Sequence, residues 1–236
     1  MGMSERRRTA RPDLDQMVHD LELEIVLGRM RPRERLIEDE MMVRFGTKRH
    51  VVRSALIELE RRGLVERRQN VGARVREYTR KEIEALYDLR MELHRLAVAR
   101  MVLPFTAEIL GELEAVADAH ETAIARSELT TVLKWNGIFH DVLFEQCGNP
   151  FLVQTVRQMG SATHAIRGYR IADPDLLQKA AQEHRAMIDA ARRGDRERLS
   201  LLCIDHILPS LNRYMADNFP ELTPSSEPRP ALSRQA

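Results

Sequence analysis

Three histidines interrupt apolar stripes in the C-terminal half of this 236-residue chain. Between Leu129 and Cys147, a helical spacing puts Leu129, Val132, Leu133, Asn136, His140 and Leu143 on one face, so Asn136 and His140 point inward one turn apart. The same spacing groups His184 with Leu177, Ala180, Met187 and Ala191, and His206 with Leu199, Leu202 and Ser210. Buried polar groups require partners. Three imidazoles and an amide oxygen make a ligand set for a divalent metal, zinc or nickel foremost, although hydrogen-bonded core histidines give the same pattern. Arg90 shares an inner stripe with Leu86, Tyr87 and Ala97. There a guanidinium either clamps a ligand carboxylate in bidentate fashion or pairs with an acidic residue such as Glu145. Tyr169 and Arg170 are pocket candidates that an exposed helix end explains equally well.

A second group of chemically able residues lies near the N-terminus. In a helix expected from about Lys48 to Arg62, Val52, Ala55, Leu56 and Leu59 claim the inner face. Lys48, Arg49, His50, Arg53 and Ser54 are left outside, with Arg49 and Arg53 one turn apart, a spacing that reaches guanine edges or phosphates. Arg67, Arg68, Gln69 and Asn70 cluster at the turn of a hairpin that follows, where they suit a nucleic-acid backbone or minor groove. Solvation of a helix surface is the competing explanation for such arginines.

The elements that must hold these residues are mostly helical. Leu14, Met17, Val18, Leu21, Ile25 and Val26 mark a helix from Pro12 to the stop at Gly28, and a short helix runs from Glu38 to Phe45. Strands Leu64–Arg68 and Ala73–Glu77 flank Gln69-Asn70-Val71-Gly72, whose Asn and Gly supply left-handed backbone. Three helices and a basic hairpin are the order of a winged helix-turn-helix, whose third helix enters the major groove of double-stranded DNA. Thr79 and Glu82 form a capping box, after which helices are expected at Lys81–Leu103, Ala107–Arg126, Leu129–Cys147, Phe151–Arg170, Pro174–Arg193 and Arg196–Asp217. The expected fold is mainly α: a flexible arm over 1–11, a winged helix-turn-helix with a small β hairpin over 12–78, an all-α bundle over 79–218 and a disordered, proline-rich tail over 219–236.

Composition narrows the function classes. Hydrophobic residues make up 43% and charged residues 31% against 5% aromatics, as in helical proteins. The net charge of +1 conceals 19 basic and 14 acidic residues in positions 1–80, with the acidic excess in the remainder, so a polyanion should meet the N-terminal part. Cys147 and Cys203 form no paired spacing, no apolar run approaches a membrane span, and the Arg-rich start lacks a signal-peptide core; a cytoplasmic protein without membrane contact is expected. A zinc hydrolase is disfavoured by the lack of an HExxH motif, and a di-iron bundle because no Glu precedes a His by three residues.

Ile25, Gly28, Pro32, Leu36, Glu38, Phe45-Gly46, Arg49, Val52-Arg53, Ala55-Leu56, Leu59, Gly63-Leu64-Val65, Gly72 and Val75 resemble the DNA-binding domain of GntR-family regulators. The resemblance implies that Arg49 and Arg53 make the main base contacts and that Gly72 lets the wing approach DNA closely. Thr47-Lys48, Val51 and Ser54 depart from the family's Val-Ser, Pro and Glu, and Asp39 stands where some members place a DNA-contacting Arg, so a deviating operator is expected. From Lys81 to Asp217, Tyr87-Asp88-Leu89-Arg90, Phe139-His140, Gly148-Asn149-Pro150-Phe151-Leu152, Glu183-His184-Arg185 with Gly194-Asp195, and Asp205-His206 resemble the helical ligand-binding domain of the FadR subgroup. This implies a transcriptional regulator, not an enzyme, that works as a homodimer and responds to a small organic acid. It also implies a metal held by Asn136, His140, His184 and His206 beside a pocket containing Arg90. Asn136 replaces a frequent Asp, which leaves no anionic protein ligand, and His94 replaces a usual Glu in the pocket.

Overall fold

A computed structural model describes residues 14–68, 72–164, 166 and 173–220. Residues 1–13, 69–71, 165, 167–172 and 221–236 lie outside them. The architecture is mainly α, with an N-terminal winged helix-turn-helix and a helical C-terminal domain. The N-terminal elements are α1 (Leu14–Val26), β1 (Arg35–Leu36), α2 (Glu38–Phe45), α3 (Arg49–Arg61), β2 (Val65–Arg68) and β3 (Gly72–Val75). Met17, Leu21, Val52, Ala55, Leu56, Leu59, Leu64 and Val65 make their core. Both α1 and α3 end where glycine permits positive φ, at Gly28 (68°) and Gly63 (77°).

The hairpin is antiparallel, with Val65 opposite Val75 and Arg68 opposite Gly72. Its strands are shorter than expected, and β3 also pairs on its other edge with β1, Leu36 opposite Ala73. Two residues are too few for alternation to register, so pattern reading alone misses β1.

The helical domain contains α4 (Arg80–Arg100), α5 (Ala107–Ala125), α6 (Leu129–Glu145), α7 (Pro150–Ala162), α8 (Pro174–Arg193), α9 (Arg196–Asp205) and α10 (Leu208–Asn218). Their starts follow the sequence signals: Thr79 and Glu82 form the reciprocal capping box, and Asn149 and Asp173 cap helices that open with proline. Residues from α4, α5, α6, α7, α8 and α9 enclose one core, including Ala97, Leu113, Phe139, Leu143, Met187 and Leu199. Helix α7 stops at a turn on Thr163, and the rest of the helix expected to reach Arg170 falls mostly outside the described residues. The helix expected from Arg196 to Asp217 is two helices. Pro209 has no N–H to donate to the carbonyl of Asp205, and its ring crowds that carbonyl, so the chain turns at His206 and Ile207 before α10 begins. The break places His206 at the C-cap of α9.

Candidate ligand cavity and DNA interface

A cavity of about 290 Å³ opens among α4, α6, α7 and the turn between α9 and α10. Its wall brings together Arg90 and His94 from α4, Asn136 and His140 from α6, and His206 from the turn. His184, wholly buried on α8, adjoins this wall: its ring centroid lies 5.2 Å from that of His140 and 4.8 Å from that of His206. Candidate ligand nitrogens of His140, His184 and His206 lie within 4.8 Å of one another, so three helices converge on one point. Phe139 stacks on His184 with centroids 4.0 Å apart and fixes that ring.

The tautomer of His206 follows from its surroundings. Its Nδ1 donates to Oε2 of Glu183 at 2.7 Å, which directs the Nε2 lone pair toward Nε2 of His140, 3.0 Å away. Two facing lone pairs at that distance repel unless a proton or a metal cation lies between them. A carboxylate behind a ligating histidine also raises the imidazole's basicity, the arrangement favoured at metal sites. The donor set therefore fits a divalent cation of the zinc or nickel type. Sequence reading passed over Glu183 as an orienting group, because no spacing rule joins it to a histidine 23 residues later.

Arg90 is 6% exposed, and its Nε and Nη1 have no hydrogen-bond partner among the described residues. Its guanidinium carbon lies 5.0 Å from the centre of the Tyr87 ring. The alternative partner Glu145 is engaged elsewhere, by Arg157 at 2.6 Å. His94 donates from Nδ1 to the carbonyl of Cys203 at 3.0 Å. Burial, aided by the Arg90 charge and opposed by that hydrogen bond, pushes the His94 pKa down to about 3, so the ring is neutral and its Nε2 is an acceptor. Tyr169 and Arg170 lie outside the described residues. The cavity also gains Asp141, Arg157, Ser161 and His164, none of which the apolar stripes single out. Burial pushes the Cys203 thiol up to about 12, which leaves it inert.

On the N-terminal domain, Lys48, Arg49, His50 and Arg53 are exposed at the start of α3 while Val52, Ala55, Leu56 and Leu59 are buried beneath. Carboxylates from α2 hold both arginines: Arg53 Nε donates to Glu38 at 3.0 Å, and Arg49 pairs with Asp39 and, at 3.3 Å, with Glu38. Arg67 is exposed on β2, 3.5 Å from Glu60, and Arg68 ends that strand. Gly72 opens β3 with φ 99°, and no atom of the described residues lies within 4 Å of a would-be Cβ. Asn70 is outside the described residues. No described helix is long and apolar enough to cross a membrane.

Residues 14–75 match the model of the bacterial regulatory proteins of the gntR family, and residues 85–208 match the FCD domain. The HTH-type transcriptional regulator YdhC of Bacillus subtilis is 25% identical over 198 residues, covering 84% of this chain and 87% of that protein. A probable D-xylose utilization operon transcriptional repressor of Paenarthrobacter nicotinovorans is 29% identical over 199 residues, 81% of this chain and 84% of the relative. The fold is shared with the solved structure of McbR/YncC from E. coli, with a TM-score of 0.68 at 19% identity over 87% of this chain and 98% of that one. The chain belongs to the GntR family of bacterial regulatory proteins, carries an FCD domain and is a DNA-binding transcriptional regulator, not an enzyme.

Proposed function

We propose that this regulator senses a small carboxylate in the cavity of its helical domain, beside a divalent metal held by His140, His184, His206 and Asn136, and that the bound ligand alters its affinity for an operator. The observation that carries the reading is Arg90: a buried cation whose Nε and Nη1 have no hydrogen-bond partner among the described residues, on the wall it shares with His140 and His206. A buried donor without an acceptor costs about 1–3 kcal/mol, more when charged, and a carboxylate facing it removes that cost. A metal held by these histidines would supply a second positive anchor for the same acid. The neutral His94 adds an acceptor, which favours an acid that also carries a hydroxyl or ammonium donor.

The DNA contacts of this reading come from Lys48, Arg49, His50 and Arg53 on α3, with Arg67, Arg68, Asn70 and Gly72 at the wing. A homodimer places two such helices in successive major grooves of a two-fold-symmetric site. The ligand controls operator affinity only through unequal affinity for two dimer states, which differ in the spacing of the two heads.

Thermal-shift screening of zinc-loaded protein against small mono-, di- and hydroxycarboxylates tests the ligand assignment. At least one acid is expected to raise the melting temperature, with the shift lost in Arg90→Ala. A shift of equal size in that variant removes Arg90 from the binding role.

A further inference from the structure

We propose that Glu22 is the residue through which the ligand cavity and the DNA-recognition helix sense one another, with His164 as its contact on the cavity side. The proposal rests on the reading of the cavity as the effector site and assigns the route of its control. Helix α7 supplies Val153, Val156, Arg157, Gly160 and Ser161 to the cavity wall, and His164 extends that wall past the helix end. Nδ1 of His164 meets Oε1 of Glu22 on α1. The other oxygen, Oε2, accepts from Arg62 Nη1 at 2.7 Å, and Arg62 Nε donates to Glu58 at 2.8 Å. Arg62 is the C-cap of α3. An unbroken chain of directed contacts thus runs from the cavity to the C-terminal end of the recognition helix.

The Glu22 side chain is only 13% exposed. Burial alone would raise its pKa, but the contacts with His164 and Arg62 hold it below the ordinary carboxylate value, so the junction carries a charge. Charged, half-buried hydrogen bonds are sensitive to small displacements because their strength falls steeply with distance and angle. A backbone approach lies alongside: a Cβ at Gly63, just past α3, would stand 3.2 Å from Ala162 Cβ at the end of α7. Tyr78, between the two domains, donates to the Gly63 carbonyl at 2.9 Å. Apolar packing also joins the domains, Val26 and Leu27 against Ala123, Ile124, Val132, Leu177 and Ala181, and is non-directional.

An anionic ligand in the cavity would compete with the Glu22 carboxylate for the same imidazole, which lines the cavity and meets Glu22 through Nδ1. A ligand that draws His164 inward leaves Glu22 to Arg62 alone and shifts the end of α3. Coupling of this kind is reciprocal, so DNA bound at the head must alter α7.

Hydrogen exchange of the full-length protein tests this, with amides of residues 150–162 followed free and saturated by a duplex that the wild type selects from a random pool. In the wild type, DNA is expected to change α7 exchange by about fivefold or more, the lower end of ordinary coupling. In Glu22→Gln and in His164→Asn, each saturated with the duplex, the change is expected to fall below about twofold. An unchanged α7 in the wild type, or full response in both variants, overturns the proposal. Should Glu22→Gln fail to fold, His164→Asn decides alone, since it leaves the Glu22–Arg62 pair in place. Titration of the wild type with zinc alone, read by calorimetry, separates the two ideas: absence of binding removes the effector-site reading and leaves the exchange result to judge the coupling.

Discussion

Arg90 and His94 sit one turn apart on α4, and burial lowers the proton affinity of both. Only the histidine thereby loses its charge, because a guanidinium remains protonated in proteins. The neutral ring has a measurable consequence for stability. In the unfolded chain a histidine takes up a proton near pH 6.5, whereas folded His94 resists until about pH 3, so its contribution is fully present above pH 6.5 and is lost progressively as pH falls toward 3. Between pH 6.5 and 5 this amounts to about 2 kcal/mol, at 1.36 kcal/mol per unit. Melting temperatures of the wild type and His94→Gln at pH 7 and pH 5 check it, with the variant expected to lose less on acidification. Parallel losses would mean that His94 does not hold its neutral state in the fold.

At the scale of elements, α3 is the helix proposed to address DNA, and α2 carries the carboxylates that pair with its arginines. Glu38 and Asp39 pin Arg53 and Arg49 on the exposed surface, where each ion pair contributes little to stability. The two arginines can therefore exchange carboxylates for guanine edges or phosphates at small cost. Arg49→Ala and Arg53→Ala are expected to weaken binding to the selected duplex by about 1–3 kcal/mol each, whereas Asp39→Asn, by removing a negative charge beside the phosphates, is expected to tighten it. Fluorescence anisotropy at fixed salt measures all three. Unchanged affinity in both arginine variants would contradict the assignment of α3. The apolar period of α3 was plain in the sequence, but its partners were not, since no periodicity joins Glu38 to a residue 15 positions later. Likewise, Arg196 to Asp217 reads as one helix by pattern although Pro209 divides it, because a proline breaks the hydrogen-bond ladder without disturbing the apolar spacing.

Across the whole molecule, tertiary packing turns scattered residues into a site. His140, His184 and His206 could each be read as inward from its own stripe, and convergence is what the fold adds. Helix type, capping and the basic hairpin were legible because they are local. The His206–Glu183 pair and the His164–Glu22 contact were not, since the latter joins residues 142 apart through the docking of two domains. A metal held at the convergence would tie α6, α8 and the end of α9 together, so its occupancy belongs to the stability of the domain as much as to its ligand chemistry. Elemental analysis of the protein purified without a histidine tag, alongside His184→Ala, tests this account most directly. Near-stoichiometric zinc or nickel in the wild type and its loss in the variant is the predicted result; metal absent from both after reconstitution would contradict it and return the three histidines to the core.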